Sequence, residues 1–257
     1  MRKFLIFTLL ALPMAGCLKT NLNDKSTTQS SGGIYQGTLN NPATSKTDII
    51  FALIDENGSA VLIDQTSPAI LTFNIAVDSN DNFTSGYTSF SGSGLGISNG
   101  AGTTAGNSIS GSVSPRSSIT GTITPSGGAG AAFTLNYNAE DYENPVAATV
   151  PNGTYVFQYT DSTVTPAVTK TATLTFNNGA ITGSDNSGAC NFTGTVTTPS
   201  NNYNGYDLSL TGACSGTAFT RSGLAEYNPA SGGNTANLTL EYNDGSGFAI
   251  AGNAPLQ

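Results

Sequence analysis

Two stretches, Cys190-Asn-Phe-Thr-Gly-Thr-Val196 and Leu208-Ser-Leu-Thr-Gly-Ala-Cys214, decide the fold of this chain. Each alternates polar residues with apolar or small ones, which is the pattern of a strand with one buried face. Paired antiparallel with the two cysteines opposite each other, they share a face on which every residue is apolar or glycine. The facing pairs in that register are Cys190 with Cys214, Phe192 with Gly212, Gly194 with Leu210, and Val196 with Leu208. The sequence therefore predicts a β-hairpin with residues 199–204 as its connecting loop.

Period-two alternation also runs through the rest of the chain, and no segment has sustained helical periodicity. Leu71, Phe73, Ile75 and Val77 form one such run, and residues 133–137, 172–176 and 238–242 form others. Residues 49–54 are apolar on both faces, which predicts a more deeply buried strand. Turn residues such as Asn177-Asn178-Gly179 separate these runs. The chain is therefore predicted to be all-β.

The strand candidates fall into two groups of about eight, in residues 33–138 and 153–257. Residues 139–152 lie between them, carry Glu140, Asp141 and Glu143 together with two prolines, and are predicted to form a hydrated linker. Both groups begin alike, with Gly33-Ile34-Tyr35 and Gly153-Thr154-Tyr155, and residues 133–138 resemble residues 238–243. We expect two tandem antiparallel lobes that arose by duplication, each a small β-barrel or a curved sandwich.

The N-terminus has the form of an export signal. Arg2 and Lys3 precede an apolar run of about nine residues, far short of the roughly 20 that span a bilayer. Met14-Ala15-Gly16-Cys17 then resembles a bacterial lipobox, with Met14 where Leu is usual. The resemblance implies that residues 1–16 are removed and that Cys17 is lipidated, for example with palmitate, and becomes the mature N-terminus. A plain secreted protein is the alternative.

The residues after Cys17 indicate how the lipid would hold the protein. Residues 18–32 are polar and predict a flexible tether with a reach of about 20 Å. More than one acyl chain on the cysteine suffices for stable anchoring. Leu18 stands where an inner-membrane retention signal has Asp, so the expected location is the outer membrane, on a face that the sequence does not determine.

Composition excludes several classes of function. The 257 residues include 16 acidic and 8 basic side chains, a formal net charge of −8, with no His and no Trp. Nucleic-acid binding depends on neutralising phosphates with Lys and Arg, so we expect no nucleic-acid partner. The absence of His removes the usual general base and the commonest metal ligand. We therefore predict no catalytic residues, no metal site and no cofactor.

The export signal also bears on Cys190 and Cys214, because disulfides persist in oxidising compartments. A cross-strand disulfide between them is predicted to contribute about 3.5 kcal/mol by closing the loop in the unfolded chain. A redox pair or a metal site is the alternative. Their spacing is unlike Cys-x-x-Cys, and the chain has no His to complete a zinc site.

Three other motifs suggest chemistry without its usual context. Residues 96–100 match Gly-x-Ser-x-Gly around Ser98, but no helix and no His accompany them, so we interpret residues 91–106 as a loop. Asp78, Asn80 and Asn82 follow the opening spacing of a calcium loop, but Phe83 stands where Gly is required, which favours a solvated turn. The linker carboxylates could bind calcium weakly.

Several of these features together resemble a group of uncharacterised proteobacterial lipoproteins. The shared features are the lipobox, the Gly-x-Tyr strand starts, the strand at 190–196 with its Cys214 partner, and the closing run at 244–250. The resemblance implies the fold and the envelope location and brings no activity. There is a fainter similarity to the barrel lobes of surface receptor lipoproteins.

Two hypotheses about function remain open. The first is a non-enzymatic, lipid-anchored envelope protein that binds or scaffolds a macromolecular partner. The alternative is a carrier that holds a small apolar ligand inside a lipocalin-like barrel, which requires an apolar interior cavity. An enzyme and a membrane-spanning barrel are less favoured, the latter because the strands are short and the chain ends in Leu256-Gln257.

Overall fold

The computed structural model describes residues 30–42, 45–66, 69–91, 97–99, 105–143, 152–161, 168–198, 202–214, 217–229, 236–243 and 248–255. The elements of the first half are β1 (Gly33–Asn41), β2 (Lys46–Ile54), β3 (Ser59–Asp64), β4 (Ala69–Asn74), β5 (Asn82–Gly86), β6 (Thr88–Ser91), β7 (Ile97–Asn99), β8 (Ser108–Ser114), β9 (Ser118–Thr124), β10 (Ala131–Tyr137) and the short helix α1 (Ala139–Tyr142). Those of the second half are β11 (Gly153–Asp161), β12 (Val168–Asn177), β13 (Ala180–Asp185), β14 (Cys190–Thr197), β15 (Tyr206–Cys214), β16 (Thr217–Pro229), β17 (Ala236–Asn243) and β18 (Phe248–Pro255). The predicted all-β, two-lobed fold is confirmed.

The first lobe is a nearly closed barrel. Its antiparallel sheet has the order β5-β8-β9-β10-β1-β2-β3-β4-β6. The two edge strands, β5 and β6, are consecutive in sequence and are separated by Tyr87 alone. They form one segment that pairs with β8 along its first half and with β4 along its second half. The sheet therefore curls until its edges meet, and Tyr87 is buried in the core at that junction.

The second lobe is a closed barrel in which β11 to β18 follow one another in chain order. The seam between β11 and β18 is closed by β7, which comes from the first half of the chain. β7 runs antiparallel to β18, and its Ser98 pairs in parallel with Thr160 of β11. The prediction of a loop over residues 91–106 is therefore wrong at residues 97–99. Three residues are too few to show a strand's alternation, so only tertiary pairing reveals β7.

The predicted central hairpin is confirmed pair by pair. β14 and β15 are antiparallel with Cys190 opposite Cys214. Phe192 lies opposite Gly212, Gly194 opposite Leu210, and Val196 opposite Leu208. The register follows from the apolar pattern because a slip of one residue would turn the buried face outward.

Apolar side chains pack the described interior of each barrel. In the first barrel they come from β1 to β5 and β8 to β10 and include four aromatic rings: Tyr35, Phe83, Tyr87 and Phe133. In the second barrel the core contains Tyr155, Phe157, Phe176, Phe192 and Tyr206 with aliphatic residues between them. Where side chains are described, these rings occupy the space that an apolar ligand would need.

The two lobes begin alike but do not end alike. Tyr35 on β1 and Tyr155 on β11 are both buried in their barrel cores, in agreement with the similar starts. The similar ends, however, lie on β10, which is the last strand of its barrel in chain order, and on β17, which is followed in the chain by β18. That second similarity therefore relates strands in different positions, and it reflects the shared alternation of strands rather than an equivalent place in the fold.

Candidate functional site

A cleft lies between the outer faces of the two barrels. On the second barrel, residues of β14, β15 and β16 form two outward rows across the sheet, Thr195–Ser209–Ser222 and Thr197–Asp207–Leu224. On the first barrel, β3, β4 and β6 present the row Val61–Thr72–Thr88. Strand alternation places these polar side chains outside because their neighbours in sequence fill the cores.

The cleft has a volume of about 650 Å³, within the range of ligand-binding pockets. Seven of its lining side chains are hydroxyls and two are carboxylates. The lining residues are Asp55, Ser59, Ala60, Val61, Thr72, Phe73 and Thr88 from the first barrel, and Thr195, Thr197, Asp207, Leu208, Ser209, Ser222, Gly223 and Leu224 from the second. We call this surface the interlobe cleft.

The two carboxylates come from opposite sides of the interlobe cleft. Asp55 directly follows β2, and its Oδ1 accepts hydrogen bonds from the backbone N–H groups of Asn57 and Ser59, at 2.8 and 2.7 Å, which holds the carboxylate in place. Asp207 lies on β15, and burial together with the charge of Asp55 raises the pKa of its carboxyl. A raised pKa means that the folded protein disfavours the ionised form of Asp207.

The lobes are packed against each other beside the cleft. The outer faces of β2 and β3 are apolar, and Tyr142 and Leu224 cover them. This cluster consists of Ile34, Phe51, Leu53, Val61, Ile63, Ile70, Tyr142 and Leu224. It explains most of the buried run predicted at residues 49–54: in residues 50–54 one face fills the first barrel and the other contacts the second lobe, whereas Ile49 is 57% exposed.

Polar and aromatic contacts complete this packing. The Tyr142 ring stacks on Tyr203, with centroids 4.9 Å apart and planes 6° from parallel. Its hydroxyl donates a 2.6 Å hydrogen bond to Oε1 of Glu56. Asn204 on the second lobe donates to the backbone carbonyl oxygens of Tyr142 and Asp141, at 2.8 and 3.1 Å. We call Glu56, Arg116, Tyr142, Tyr203 and Asn204 the interlobe joint.

Arg116 reaches the joint from the turn between β8 and β9. It has a φ of 52°, a left-handed conformation that usually favours glycine or asparagine. Its guanidinium forms a 3.3 Å ion pair with Glu143, lies 4.9 Å from the centre of the Tyr203 ring, and donates a hydrogen bond to the Tyr203 hydroxyl. These contacts compensate for the backbone strain of about 1 kcal/mol at this position.

The linker is ordered at its start, in contrast to the prediction of a hydrated segment. Residues 139–142 form α1, capped by the side chain of Asn138, and Tyr142 is only 2% exposed. Glu143 binds Arg116 and accepts a 2.9 Å hydrogen bond from the Tyr137 hydroxyl. The start of the body also differs: Ser31 and Gly32, predicted to belong to the tether, are buried. Local polarity favours a hydrated segment because it does not reveal partners that are distant in sequence.

Some of the motifs singled out in the sequence lie among the described residues, and others do not. Cys17 and the signal at residues 1–16 lie outside the described residues. The backbones of Cys190 and Cys214 are opposite each other, and Cys190 is buried; the disulfide between them stays a prediction. Asp78 is in a turn, where its Oδ1 accepts from the N–H groups of Asn80 and Asn82, at 2.8 and 3.0 Å. These two bonds lower the pKa of the Asp78 carboxyl.

Sequence reasoning missed both the interlobe cleft and the joint. Their residues come from segments that are distant in the chain: Arg116 and Tyr203, for example, are 87 positions apart. One signal was present: the strand at residues 50–54 is apolar on both faces, and a solvated barrel needs only one apolar face. A second covering layer could have been inferred from it.

Comparisons with known proteins add little to this geometry. No family model matches the chain, and no curated protein matches it. Among solved structures, it is similar to the isotype 1 transferrin binding protein B of serogroup B Neisseria meningitidis, with 11% identity and a TM-score of 0.29. The match covers 82% of this chain and 59% of that one, so the chain spans less than two thirds of that protein's length.

Among the described residues, no helix is both long enough and apolar enough to cross a membrane. The same residues contain no group of three or more Cys, Asp or Glu side chains arranged to hold a metal ion.

Proposed function

We propose that this protein is a lipid-anchored envelope protein that binds a macromolecular partner in its interlobe cleft and catalyses no reaction. The observation that carries the proposal is the cleft itself. It is formed by two barrels whose described interiors are packed, and the joint fixes the position of one barrel relative to the other. A cleft whose walls are held in place needs little reorganisation when it binds, which favours affinity.

The proposed anchor is consistent with where the chain enters the body. Cys17 would carry the lipid, and the hydroxyl of Ser30, which follows it in the chain, donates to the backbone carbonyl of Glu56 at the joint. A Cβ atom on Gly32 would clash with Glu56 and with the Tyr142 hydroxyl, so the chain passes close against the joint. The tether would therefore hold the molecule by the junction of its lobes. We place it in the outer membrane because no Asp follows Cys17.

The carrier hypothesis is not supported by the barrels. It requires an apolar cavity inside a lobe, whereas aromatic and aliphatic side chains fill the described interior of both. The cleft, in contrast, is lined largely by hydroxyls and carboxylates and lies outside the barrels. A polar cleft between two lobes suits a polar, extended ligand better than an apolar small molecule.

Site-specific photocrosslinking in living cells tests the proposed function. The photoreactive residue p-benzoylphenylalanine replaces Ser222, which lines the cleft, and in a separate variant Thr182, which is exposed on β13 of the same barrel. We expect irradiation to give a discrete covalent adduct from position 222 and at most a tenth as much from position 182. Mass spectrometry then identifies the peptide attached.

The control establishes that any adduct depends on the cleft. Both variants must be lipidated and present in equal amounts, and both must resist protease to the same extent. Equal adduct yields from the two positions, or none from position 222, would contradict a partner in the cleft.

A further inference from the structure

Among the residues that the structure describes, the lining of the interlobe cleft is acidic and contains no Lys or Arg. Asp55 and Asp207 are its charged members, one from each barrel, and no Lys or Arg is among the lining residues. The described basic side chains with ion pairs are engaged elsewhere: Arg116 with Glu143 at the joint, and Lys170 with Asp185 on the second barrel. The described lining therefore holds two carboxylates, one from each barrel, and no Lys or Arg side chain that pairs with them.

The arrangement of these charges is unfavourable for the protein alone. Two carboxylates that share a partly dehydrated site repel each other, and here that repulsion adds to burial in raising the pKa of Asp207. A cation placed between them would remove the repulsion and gain attraction to both. The net charge of −8 extends the same preference outward, because an acidic surface attracts cationic partners at long range.

The rest of the lining suits an extended peptide. Seven hydroxyl side chains from two facing sheets can donate to and accept from the backbone of a strand-like segment. An oligosaccharide is a poorer fit, since it is commonly bound by stacking on an aromatic ring. The aromatic residue in the lining is Phe73, which pairs with the core residue Ala60 and packs against the first barrel's core.

We propose that the partner inserts an extended segment containing Lys or Arg into the interlobe cleft, with its cationic side chain between Asp55 and Asp207. This inference rests on the proposed function and specifies the chemistry of the partner at that same site. The hydroxyl rows would hold the backbone of the segment, and the paired carboxylates would select for positive charge.

A binding titration tests the inference on the purified full-length lipoprotein in neutral detergent. The probes are two fluorescent nonapeptides, one alternating Lys with Ser and the other alternating Glu with Ser. We expect the Lys peptide to bind at least tenfold more tightly than the Glu peptide. We also expect its affinity to fall as salt rises from 50 to 300 mM, because screening weakens charge attraction.

Substitution of the two carboxylates tests their role. Asp55→Asn keeps the oxygen that accepts the turn hydrogen bonds, and Asp207→Asn removes a charge that the folded protein disfavours. The double variant should bind the Lys peptide at least tenfold more weakly while its thermal midpoint stays the same or rises. Glu140→Gln, an exposed charge removal outside the cleft, should leave the affinity within twofold.

The outcomes separate this inference from the proposed function. Equal affinity for the two peptides, or an unchanged affinity in the double variant, would contradict the proposal that the partner inserts a basic segment. If adducts from position 222 then persist but contain sugar or a neutral peptide, the cleft binds a partner of other chemistry. If those adducts are absent as well, the proposed function fails with it.

Discussion

Tyr142 makes the contacts that connect the two lobes at the level of single residues. It is buried between the outer face of the first barrel and Tyr203 of the second. Stacked aromatic pairs contribute about 0.5–1.5 kcal/mol beyond their buried area, and the hydrogen bond to Glu56 adds to this. One side chain thus combines packing, stacking and a polar contact at the position where the lobes meet.

Replacement of Tyr142 by Phe tests the polar part of that contact. The variant keeps the ring and its stacking but leaves Glu56 without its donor, so the free energy of unfolding should fall by about 1.5 kcal/mol. Urea denaturation measures the change. The matched control is Tyr137→Phe, which removes the exposed bond to Glu143 and should cost about 0.5 kcal/mol or less. Equal losses in the two variants would contradict this account of the joint.

The tyrosines also predict how stability depends on alkaline pH. Burial, followed by the charge of Glu56, raises the pKa of Tyr35 from 10.0 to about 12. Burial, followed by the Glu56 hydrogen bond, raises that of Tyr142. Between pH 10 and pH 12 the tyrosine hydroxyls of the unfolded chain lose their protons, whereas those of Tyr35 and Tyr142 in the folded protein keep theirs. Their contribution to stability is therefore full below pH 10 and falls towards pH 12.

Urea denaturation at pH 8, 10 and 11 measures this dependence. The free energy of unfolding should change little up to pH 10 and then decrease, with a shallower decrease in Tyr142→Phe because one shifted group is missing. A stability that rises or stays constant between pH 10 and 11 would show that these hydroxyls are not held as described.

At the residue scale, the sequence predicts which side chains face the core and where turns lie, but not which distant residues contact each other. The apolar faces and the turn at Asp78 follow from local order, so they could be predicted. The joint could not, because nothing local to Arg116 or Tyr203 distinguishes them from solvent-exposed residues. Their roles arise from packing between segments that are distant in the chain.

At the scale of single elements, the hairpin of β14 and β15 is the feature that the sequence determines most completely. Its register follows from the requirement that both strands bury their apolar faces together. Phe192 and Leu210 each lie opposite a glycine, which gives these side chains room in a narrow barrel. β7, by contrast, is a strand because of its position at the seam, and no local pattern marks it.

The predicted disulfide gives a test of this hairpin. Replacing Cys214 with Ser should lower the free energy of unfolding by about 3.5 kcal/mol, since it restores entropy to the unfolded chain. Denaturation with and without a reducing agent measures the effect. In the presence of the reducing agent, the original protein should lose the same amount and the variant should lose nothing more. An original protein whose stability is unaffected by reduction would contradict the disulfide.

Glycine at position 194 tests the close approach of the strands. A Cβ atom there would overlap the backbone carbonyl oxygen of Ser209, so Gly194→Ala should destabilise the protein by about 1–3 kcal/mol. Gly86→Ala is the control, because a Cβ at that position would meet its nearest atom, the Asn107 carbonyl oxygen, at 3.7 Å. Thermal denaturation compares them. A loss at Gly86 as large as that at Gly194 would contradict the packing described.

At the scale of the whole molecule, the number and type of lobes follow from the sequence, but their relation to each other does not. Alternation and turn residues predict about eight strands in each lobe, and the described residues form nine in the first sheet and eight, joined by β7, in the second barrel. Three features depend on how the two folded surfaces fit together: the sharing of β7, the joint and the interlobe cleft. The periodic pattern of apolar residues in the sequence does not indicate this fit. The strand apolar on both faces at residues 50–54 is the exception, since it required a second covering layer.

The proposed lipid anchor would be attached to the body near the joint, which lies beside the interlobe cleft. A lipid at Cys17 would restrict the protein to a membrane surface, and Ser30 and Gly32 lie against Glu56 and Tyr142 of the joint, where the proposed tether would meet the body. Replacement of Cys17 by Ser should abolish incorporation of labelled palmitate into the protein. Unchanged incorporation in the variant would contradict lipid anchoring at Cys17.

The central claim is that a partner occupies the interlobe cleft in the cell, and thiol protection measures this most directly. Ser222→Cys places a thiol in the cleft, and Thr182→Cys places one on the exposed face of β13. Maleimide labelling rates are compared between intact cells and purified protein, after normalisation to the position-182 thiol. The account predicts labelling at position 222 that is at least tenfold slower in cells than in the purified protein. Equal normalised rates in cells and in purified protein would contradict it.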